Sequence, residues 1–282
     1  MSRADHEQNR RSWNEATRAH NSHKRDEAAF LRDGGSTLFP EELDLLGPLA
    51  GRRLLHLQCN SGQDSLSLAA LGADVLGVDI SDVAIEHART LSEESGIAAR
   101  FERQDVYDWL ENASERFDLV FASYGALCWL SDLKRWAGGI RDVLAPGGQL
   151  VVMEFHPVAM MLDRDWTVRH PYGTGGVRQV LEEGIGDYVA DSGGGLTPSG
   201  HVEGVRAFSN PERCVEYAWS MGQILTAISS AGLHVDRFEE YPYVNGCTIW
   251  DDLRPREGRR YDLPEGMPSI PLMFGLQAGI GS

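Results

Sequence analysis

The sequence has few basic residues for its length. In 282 residues, 26 lysines and arginines stand against 42 aspartates and glutamates, which gives a formal net charge of -16. A protein with this charge repels the phosphate backbone of nucleic acids, so we expect no nucleic-acid partner. A long apolar run is also lacking, because the charge-free stretch 217–233 is broken by Ser, Gln and Gly. With no apolar signal region in MSRADHEQNRRSWNE either, we expect neither a membrane span nor secretion.

Cysteine pairs are absent as well. The four cysteines, at positions 59, 128, 214 and 247, form no CxxC pair and no spacing typical of metal ligands. This predicts free thiols, a cytoplasmic location and no metal site. The apolar share of 42% and the charged share of 24% are typical of a globular protein. We expect one large domain with insertions, and nothing in the sequence fixes an oligomeric state.

Strand-like apolar runs alternate with helical patterns in the middle of the chain. The strand-like runs are RLLHLQ (53–58), DVLGVDI (74–80), ARFERQD (99–105), FDLVFAS (117–123) and QLVVMEF (149–155). Helical patterns follow over 62–73, 81–96 and 131–148, with Ser81 and Ser131 as the expected N-caps of the last two. This alternation predicts an α/β fold with a doubly wound parallel sheet.

The remaining segments divide the chain into four parts. A helix, a turn at Gly34–Gly35 and a second helix over 41–49 predict an N-terminal cap. A glycine-rich stretch predicts an insertion of loops and short antiparallel strands. A helix over 214–231 and strands over 234–243 and 268–280 predict a C-terminal hairpin that completes the sheet. The expected parts are a helical cap (1–50), a ligand-binding core (51–156), a β-rich lid or substrate insertion (157–213) and the C-terminal helix and hairpin (214–282).

The loops after the first strands carry the residues expected to bind a ligand, because ligands of such sheets lie beyond the carboxyl ends of the strands. The turn QCNSGQD (58–64) lets a backbone approach a ligand, and Asp79 ends the second strand where a carboxylate can accept both hydroxyls of a ribose. Asp105 follows Gln104 at the third strand. Ser123 and Tyr124 end the fourth.

Four segments in this order resemble the successive motifs of class I S-adenosylmethionine-dependent methyltransferases. They are LLHLQCNSGQDSLSLAALGADVLGVDISDVAIEHAR, RQDVYDW, FDLVFAS and LAPGGQLVVMEF, within residues 51–156. The resemblance implies a Rossmann-like seven-stranded sheet with an antiparallel C-terminal strand, and S-adenosylmethionine as cofactor. The family's first motif reads acid-x-Gly-x-Gly-x-Gly, whereas His56, Gln58, Asn60 and Gly62 stand here. This Gln-Cys variant resembles a branch that acts on small specialised metabolites.

The resemblance also implies roles for individual residues. Gln58 and Asn60 would contact the methionine part of the cofactor, Asp79 the ribose, and Ser123 would lie under the sulfonium. The cofactor-binding residues implied in this way are Gln58, Asn60, Gly62, Asp79, Ile80, Gln104, Asp105, Val106 and Ser123.

Simpler interpretations exist for several of these residues. Asp79 could cap the following helix, and Asp105 could stabilise a helix dipole. Gln58 and Asn60 are also residues that form turns without any ligand.

Two residues are candidates for catalysis. His156 follows the fifth strand directly and could act as a general base, or it could satisfy a backbone carbonyl or line the pocket. Tyr124 could contact the substrate or relay a proton.

Three functions fit these patterns. The first is methyl transfer to a sulfur, nitrogen or oxygen atom of a small-molecule acceptor. The second is a nicotinamide-dependent oxidoreductase, which the missing G-x-G-x-x-G motif and the bulky Gln58 and Asn60 disfavour. The third is a noncatalytic cofactor-binding protein. We expect the first.

Overall fold

A seven-stranded mixed sheet forms the centre of the protein. The structure is a computed structural model that describes residues 3–173 and 176–281. The strands are β1 (Arg53–Leu57), β2 (Asp74–Asp79), β3 (Arg100–Arg103), β4 (Phe117–Ser123), β5 (Leu144–Phe155), β6 (Val177–Leu181), β7 (Cys214–Ala218), β8 (Leu233–Tyr241), β9 (Tyr243–Asn245), β10 (Arg254–Arg256), β11 (Arg260–Asp262) and β12 (Met273–Ile280). The sheet has the order β3-β2-β1-β4-β5-β12-β8, with β12 antiparallel to both of its neighbours. The predicted fold class is confirmed.

Helices cover both faces of this sheet. They are α1 (Arg3–Ser22), α2 (Glu27–Arg32), α3 (Pro40–Leu46), α4 (Gln63–Ala70), α5 (Asp82–Ser95), α6 (Val106–Asn112), α7 (Leu133–Val143), α8 (Tyr188–Ser192) and α9 (Met221–Ser230). The strands bury side chains on both faces: Leu55 and Val120 belong to one apolar cluster, and Leu54 and Phe121 to another. This explains why the strand sequences are nearly continuous apolar runs.

The ends of α5 follow the local sequence signals. The Ser81 hydroxyl accepts a hydrogen bond from the backbone amide of Ala84 at 3.1 Å, and the helix ends at Gly96, which has φ 74°. The residue predicted as the N-cap of α7 was wrong. Asp132, not Ser131, caps this helix by accepting from Arg135 N at 3.0 Å. The Ser131 hydroxyl instead lies 3.0 Å from a ring nitrogen of His6, because α1 approaches it from across the fold.

The region after the core differs most from prediction. The stretch 214–218, expected to be helical, is strand β7 and pairs antiparallel with β6, and the following helix begins only at Met221 after the N-cap Ser220. Among its described residues, 157–213 contains one strand, so the expected β-rich insertion has less strand than predicted. The last strand begins at Met273 rather than 268, and β9, β10 and β11 form a separate three-stranded sheet.

Helix α1 lies over the carboxyl ends of the parallel strands. One contact fixes each part of the helix: His6 to Asp105 after β3, Asn14 to Ser81 after β2, and Asn21 to Ser61 after β1, at 2.5, 2.7 and 3.0 Å. The paired strands β6 and β7 contact α1 through hydrogen bonds between Asn9 and the backbone of Val215 at 2.8 and 2.7 Å. Together, α1 and the strands β6 and β7 therefore cover the carboxyl edge of the sheet.

Three structural findings concern membrane spans, metal clusters and cysteines. Within residues 3–173 and 176–281, no helix is both long and apolar enough to cross a bilayer. The same residues contain no cluster of three or more His, Cys, Asp or Glu side chains arranged to hold a metal ion. The four cysteines are free thiols.

Candidate functional site

A cavity of about 480 Å³ lies between the carboxyl edge of the sheet and the elements that cover it, α1, β6 and β7. Its walls are formed by α1, α3, the loops after β1 to β5, and the strands β6 and β7. The cavity brings together nine of the residues that the sequence singled out: Gln58, Asn60, Asp79, Ile80, Gln104, Asp105, Val106, Ser123 and Tyr124.

Asp79 connects the loops after β1 and β2 at the cavity wall. One carboxylate oxygen accepts from Asn60 N at 2.9 Å and the other from Ser81 N at 2.8 Å. Because Ser81 caps α5, Asp79 is not needed for capping. Burial raises the pKa of Asp79 to about 6, and the backbone hydrogen bonds oppose this rise. Each oxygen retains capacity to accept a further hydrogen bond.

The loop after β1 has an unusual backbone. Gln58, Asn60 and Gly62 have φ values of 56°, 48° and 79°. A Cβ atom at Gly62 would lie 2.6 Å from the Cβ of Ala88, so this position admits only glycine. This packing explains why the last glycine of the motif is present. Gly62 is not part of the described cavity wall.

The side chains of Gln58 and Asn60 in this loop differ in their hydrogen bonds. The Gln58 amide donates to Ala126 O at 2.7 Å, whereas its Oε1 is buried without a hydrogen-bond partner among the described residues. Asn60 Oδ1 accepts from the backbone amide of Ser61 at 2.7 Å. The turn-forming interpretation therefore accounts for the Asn60 side chain but leaves the Gln58 carbonyl available.

His56 occupies the position of the usual acidic residue of the first motif. Its ring nitrogens lie 2.8 Å from Ser65 Oγ and 3.3 Å from Ser123 Oγ. Burial lowers the pKa of His56 to about 4, so the ring is neutral near pH 7. His56 therefore orients Ser123 without adding a charge beneath the cavity.

Asp105 is already engaged within the protein. One oxygen accepts from Tyr107 N at 2.9 Å and caps α6, and the other lies 2.5 Å from His6 Nδ1. Burial opposes ionisation, but the contact with His6 keeps the pKa of Asp105 below its usual range. The simpler interpretation of Asp105 as a helix-terminus residue thus explains its two main contacts. Neighbouring Gln104 and Val106 also line the cavity.

His156, the candidate general base, faces Glu240 rather than the cavity. Its Nε2 lies 2.9 Å from Glu240 Oε1 on β8, and its Nδ1 accepts from Val158 N at 3.1 Å. Successive residues of a strand point to opposite sides, and Phe155 is the one that lines the cavity. His156 is not among the described residues of the cavity wall. Burial lowers its pKa, although Glu240 opposes this.

Glu154 is a structural residue of the site that the sequence did not reveal. Its buried carboxylate accepts hydrogen bonds from four backbone amides. The donors are Gly125 at 2.5 Å, Ala126 at 2.8 Å, Leu127 at 3.0 Å and Phe155 at 2.7 Å. Glu154 thus fixes the loop after β4, including the carbonyl that holds Gln58. An acid inside the apolar run QLVVMEF was the only available signal.

Tyr124 also lines the cavity and is partly buried. Its hydroxyl accepts from Asn245 Nδ2 at 2.8 Å and hydrogen-bonds Glu42. Burial and the Glu42 charge raise the pKa of Tyr124 far above its usual value, so the phenol remains protonated. Tyr124 can therefore donate or accept a hydrogen bond, but it is not a base by itself.

Glu42 is the most perturbed carboxyl group of this region. Burial, and then the nearby Asp64, raise its pKa to about 8. Because the folded-state pKa lies above the unfolded value, the stability that this group contributes is fully present below about pH 4.5 and is lost as the pH rises to about 8.

We expect Glu42→Gln to reduce the fall in melting temperature between pH 6 and pH 9, because glutamine cannot ionise. Thermal unfolding of the wild type and the variant across this range measures the effect, and the exposed Glu94→Gln provides the control. A variant whose pH profile parallels that of the wild type would show that Glu42 has an ordinary pKa.

Comparison with known proteins relates part of this architecture to a known family. Residues 54–148 match the model of a methyltransferase domain. Over these residues the chain is similar to that family. It is 34% identical over 113 residues to a ubiquinone biosynthesis O-methyltransferase of Cereibacter sphaeroides, covering 40% of this chain and 45% of that protein. It is 35% identical over 117 residues to a demethylmenaquinone methyltransferase of Thermus thermophilus, covering 41% and 52%.

The similarity to these curated relatives spans about half of their length. A solved structure extends the likeness of fold to most of the chain. An S-adenosylmethionine-dependent methyltransferase from Mesorhizobium loti aligns with a TM-score of 0.56 at 21% identity and covers 88% of this chain and 99% of that one. The shared fold thus extends beyond residues 54–148.

Proposed function

We propose that this protein transfers a methyl group from S-adenosylmethionine to a sulfur, nitrogen or oxygen atom of a small molecule. The observation that carries the proposal is that the side chains of Asp79 and Gln58 line the same cavity of a methyltransferase fold. Asp79 has a carboxylate with spare acceptor capacity, and Gln58 has a buried carbonyl oxygen without a partner among the described residues.

The residues at the sheet edge fit the chemical groups of the cofactor. Asp79 is placed to accept the ribose hydroxyls, and Gln58 Oε1 to accept from the ammonium group, since buried acceptors need a donor. Ile80, Gln104 and Val106 would border the adenine, with Asp105 contributing through the α6 cap. Ser123, held by His56, would lie at the sulfonium. In this proposal, Asn60 contributes through its backbone.

The bound cofactor would supply an activated methyl group on a positively charged sulfur. The protein then has to align the acceptor atom with that methyl group and exclude water. The cavity is covered by α1 and the strands β6 and β7. The segments 157–213 and 244–267 contribute the apolar side chains of Leu196, Cys247 and Ile249 to its wall. We assign these two segments to the selection of the acceptor.

Three observations support a small acceptor. The cavity is covered by α1, the chain carries a net charge of -16, and two similar proteins are named as a ubiquinone biosynthesis O-methyltransferase and a demethylmenaquinone methyltransferase. The charge disfavours RNA and DNA as acceptors. The O-methyltransferase relatives favour oxygen among the three heteroatoms.

A thermal-shift comparison tests cofactor choice. We expect S-adenosylhomocysteine to raise the melting temperature, because a ligand at 100 times its Kd stabilises the folded state by about 2.7 kcal/mol. NAD should give no shift, since the first loop lacks G-x-G-x-x-G and the Gln58 side chain reaches across to Ala126. Stabilisation by NAD alone would refute the methyltransferase assignment and favour an oxidoreductase.

A further inference from the structure

Asn245 has a buried side-chain carbonyl oxygen to which no other described residue donates a hydrogen bond. This residue ends β9, is 2% exposed and lines the cavity. Its Oδ1 has no hydrogen-bond partner in the part of the chain that the structure describes. A buried acceptor without a donor costs about 1–3 kcal/mol, so such an atom in a cavity wall indicates a ligand that supplies the donor.

The orientation of the Asn245 amide is fixed by its neighbours. Its Nδ2 donates to Tyr124 Oη at 2.8 Å and to Glu41 Oε2 at 3.3 Å. Glu41 also accepts from Arg260 Nη1 and from the Tyr243 hydroxyl at 2.8 and 2.7 Å, and its pKa is lowered, because these hydrogen bonds outweigh the effect of burial. An ionised carboxylate only accepts hydrogen bonds, so rotating the amide by 180° would bring two oxygens together. The nitrogen therefore faces Glu41.

The backbone around Asn245 is also held. Asn245 N lies 3.3 Å from the sulfur of Met273, and Asn245 O accepts from Cys247 N at 2.7 Å. The hydroxyl of Tyr124 is held on its other side by Glu42. The unpaired oxygen is thus in a fixed position before any ligand arrives, which favours selective binding.

Aromatic rings lie next to Tyr124, the hydrogen-bond partner of Asn245. The Tyr124 ring lies 6.3 Å from Phe39 and 5.9 Å from Phe155, both of which line the cavity. Because these three rings line the cavity, a ligand ring packed on them would gain energy beyond the burial of its surface, so this wall favours an aromatic ligand. Tyr124 directly follows Ser123, the residue assigned to the sulfonium. The position of Asn245 therefore suits the acceptor rather than the adenosine of the cofactor.

We propose that Asn245 selects the methyl acceptor, and that the acceptor is an aromatic compound whose hydroxyl or amino group donates a hydrogen bond to Asn245 Oδ1. This inference rests on the proposed methyltransferase function. Asn245 would bind and orient the acceptor through this contact, while Glu41 and Tyr124 hold the amide in place.

Calorimetric titrations of the protein saturated with S-adenosylhomocysteine test this inference. Catechol and 2-aminophenol are the donor-bearing probes, and 1,2-dimethoxybenzene has similar ring geometry without a donor. We expect the wild type to bind either donor-bearing probe at least about fivefold more tightly than 1,2-dimethoxybenzene. Asn245→Ala should abolish this preference while leaving the Kd for S-adenosylhomocysteine within about twofold. Asn112→Ala, on the exposed end of α6, should retain the preference.

Equal affinity of the wild type for catechol, 2-aminophenol and 1,2-dimethoxybenzene would overturn the inference. Absence of binding by all three probes to the loaded protein would also overturn it, as would an Asn245→Ala variant that keeps the preference. The wild-type comparison decides even if Asn245→Ala fails to fold. Failure of S-adenosylhomocysteine to bind the wild type would instead refute the proposed function.

Discussion

Replacement of Asp79 by alanine is expected to weaken binding of S-adenosylhomocysteine by more than about tenfold, because the ribose hydroxyls lose a charged acceptor. The loss has a second cause in the structure. The Asp79 carboxylate also holds the backbone amides of Asn60 and Ser81, so its removal loosens the loop after β1. Isothermal titration calorimetry measures the affinity directly.

Two further variants separate these causes. Asp79→Asn keeps one acceptor oxygen and should bind more tightly than Asp79→Ala. Asp74→Ala lies at the opposite end of the same strand, is exposed, and should bind as the wild type does. Unchanged affinity in Asp79→Ala would mean that the cofactor lies elsewhere.

Replacement of Glu154 by alanine is expected to cause the largest loss of stability. The substitution leaves four buried or partly buried backbone amides, those of Gly125, Ala126, Leu127 and Phe155, without their acceptor. Each unsatisfied amide costs about 1–3 kcal/mol, and relaxation with entry of water recovers part of this, so we expect a loss of about 3 kcal/mol or more. Urea unfolding of the wild type and the variant measures the change in free energy.

Glutamine provides the matched comparison at this position. Glu154→Gln retains one acceptor oxygen and should lose less stability than Glu154→Ala. The exposed Glu94→Ala should change the free energy of unfolding by no more than about 0.5 kcal/mol. If Glu154→Ala unfolds at the same urea concentration as the wild type, the loop after β4 does not depend on this carboxylate.

The parallel core could be predicted because its signals are local. Ser81 and Gly96 mark the two ends of α5, and the strand FDLVFAS corresponds residue for residue to β4. The strand at 214–218 could not be distinguished from a helix in this way. Its short run CVEYA is compatible with either structure, and pairing with β6, about 35 residues earlier, decides between them.

The candidate site likewise contains residues whose positions could be predicted from the sequence and residues whose positions could not. Asp79 could be located because it ends a strand in a known order of motifs. The orientation of His156 could not, since it depends on Glu240 of a distant strand. The engagement of Asp105 by His6 crosses 99 positions in sequence. Glu41, Glu42 and Asn245 lie in segments without motifs and meet Tyr124 only in the folded chain.

Transfer of a radiolabelled methyl group from S-adenosylmethionine tests the central claim most directly. The wild type is incubated with the labelled cofactor and, separately, with aromatic hydroxyl compounds, amines, thiols and total RNA. We predict enzyme-dependent label in at least one small molecule and none in RNA. Label in RNA, or binding of S-adenosylhomocysteine without transfer to any compound of the panel, would contradict the assignment to small-molecule methylation.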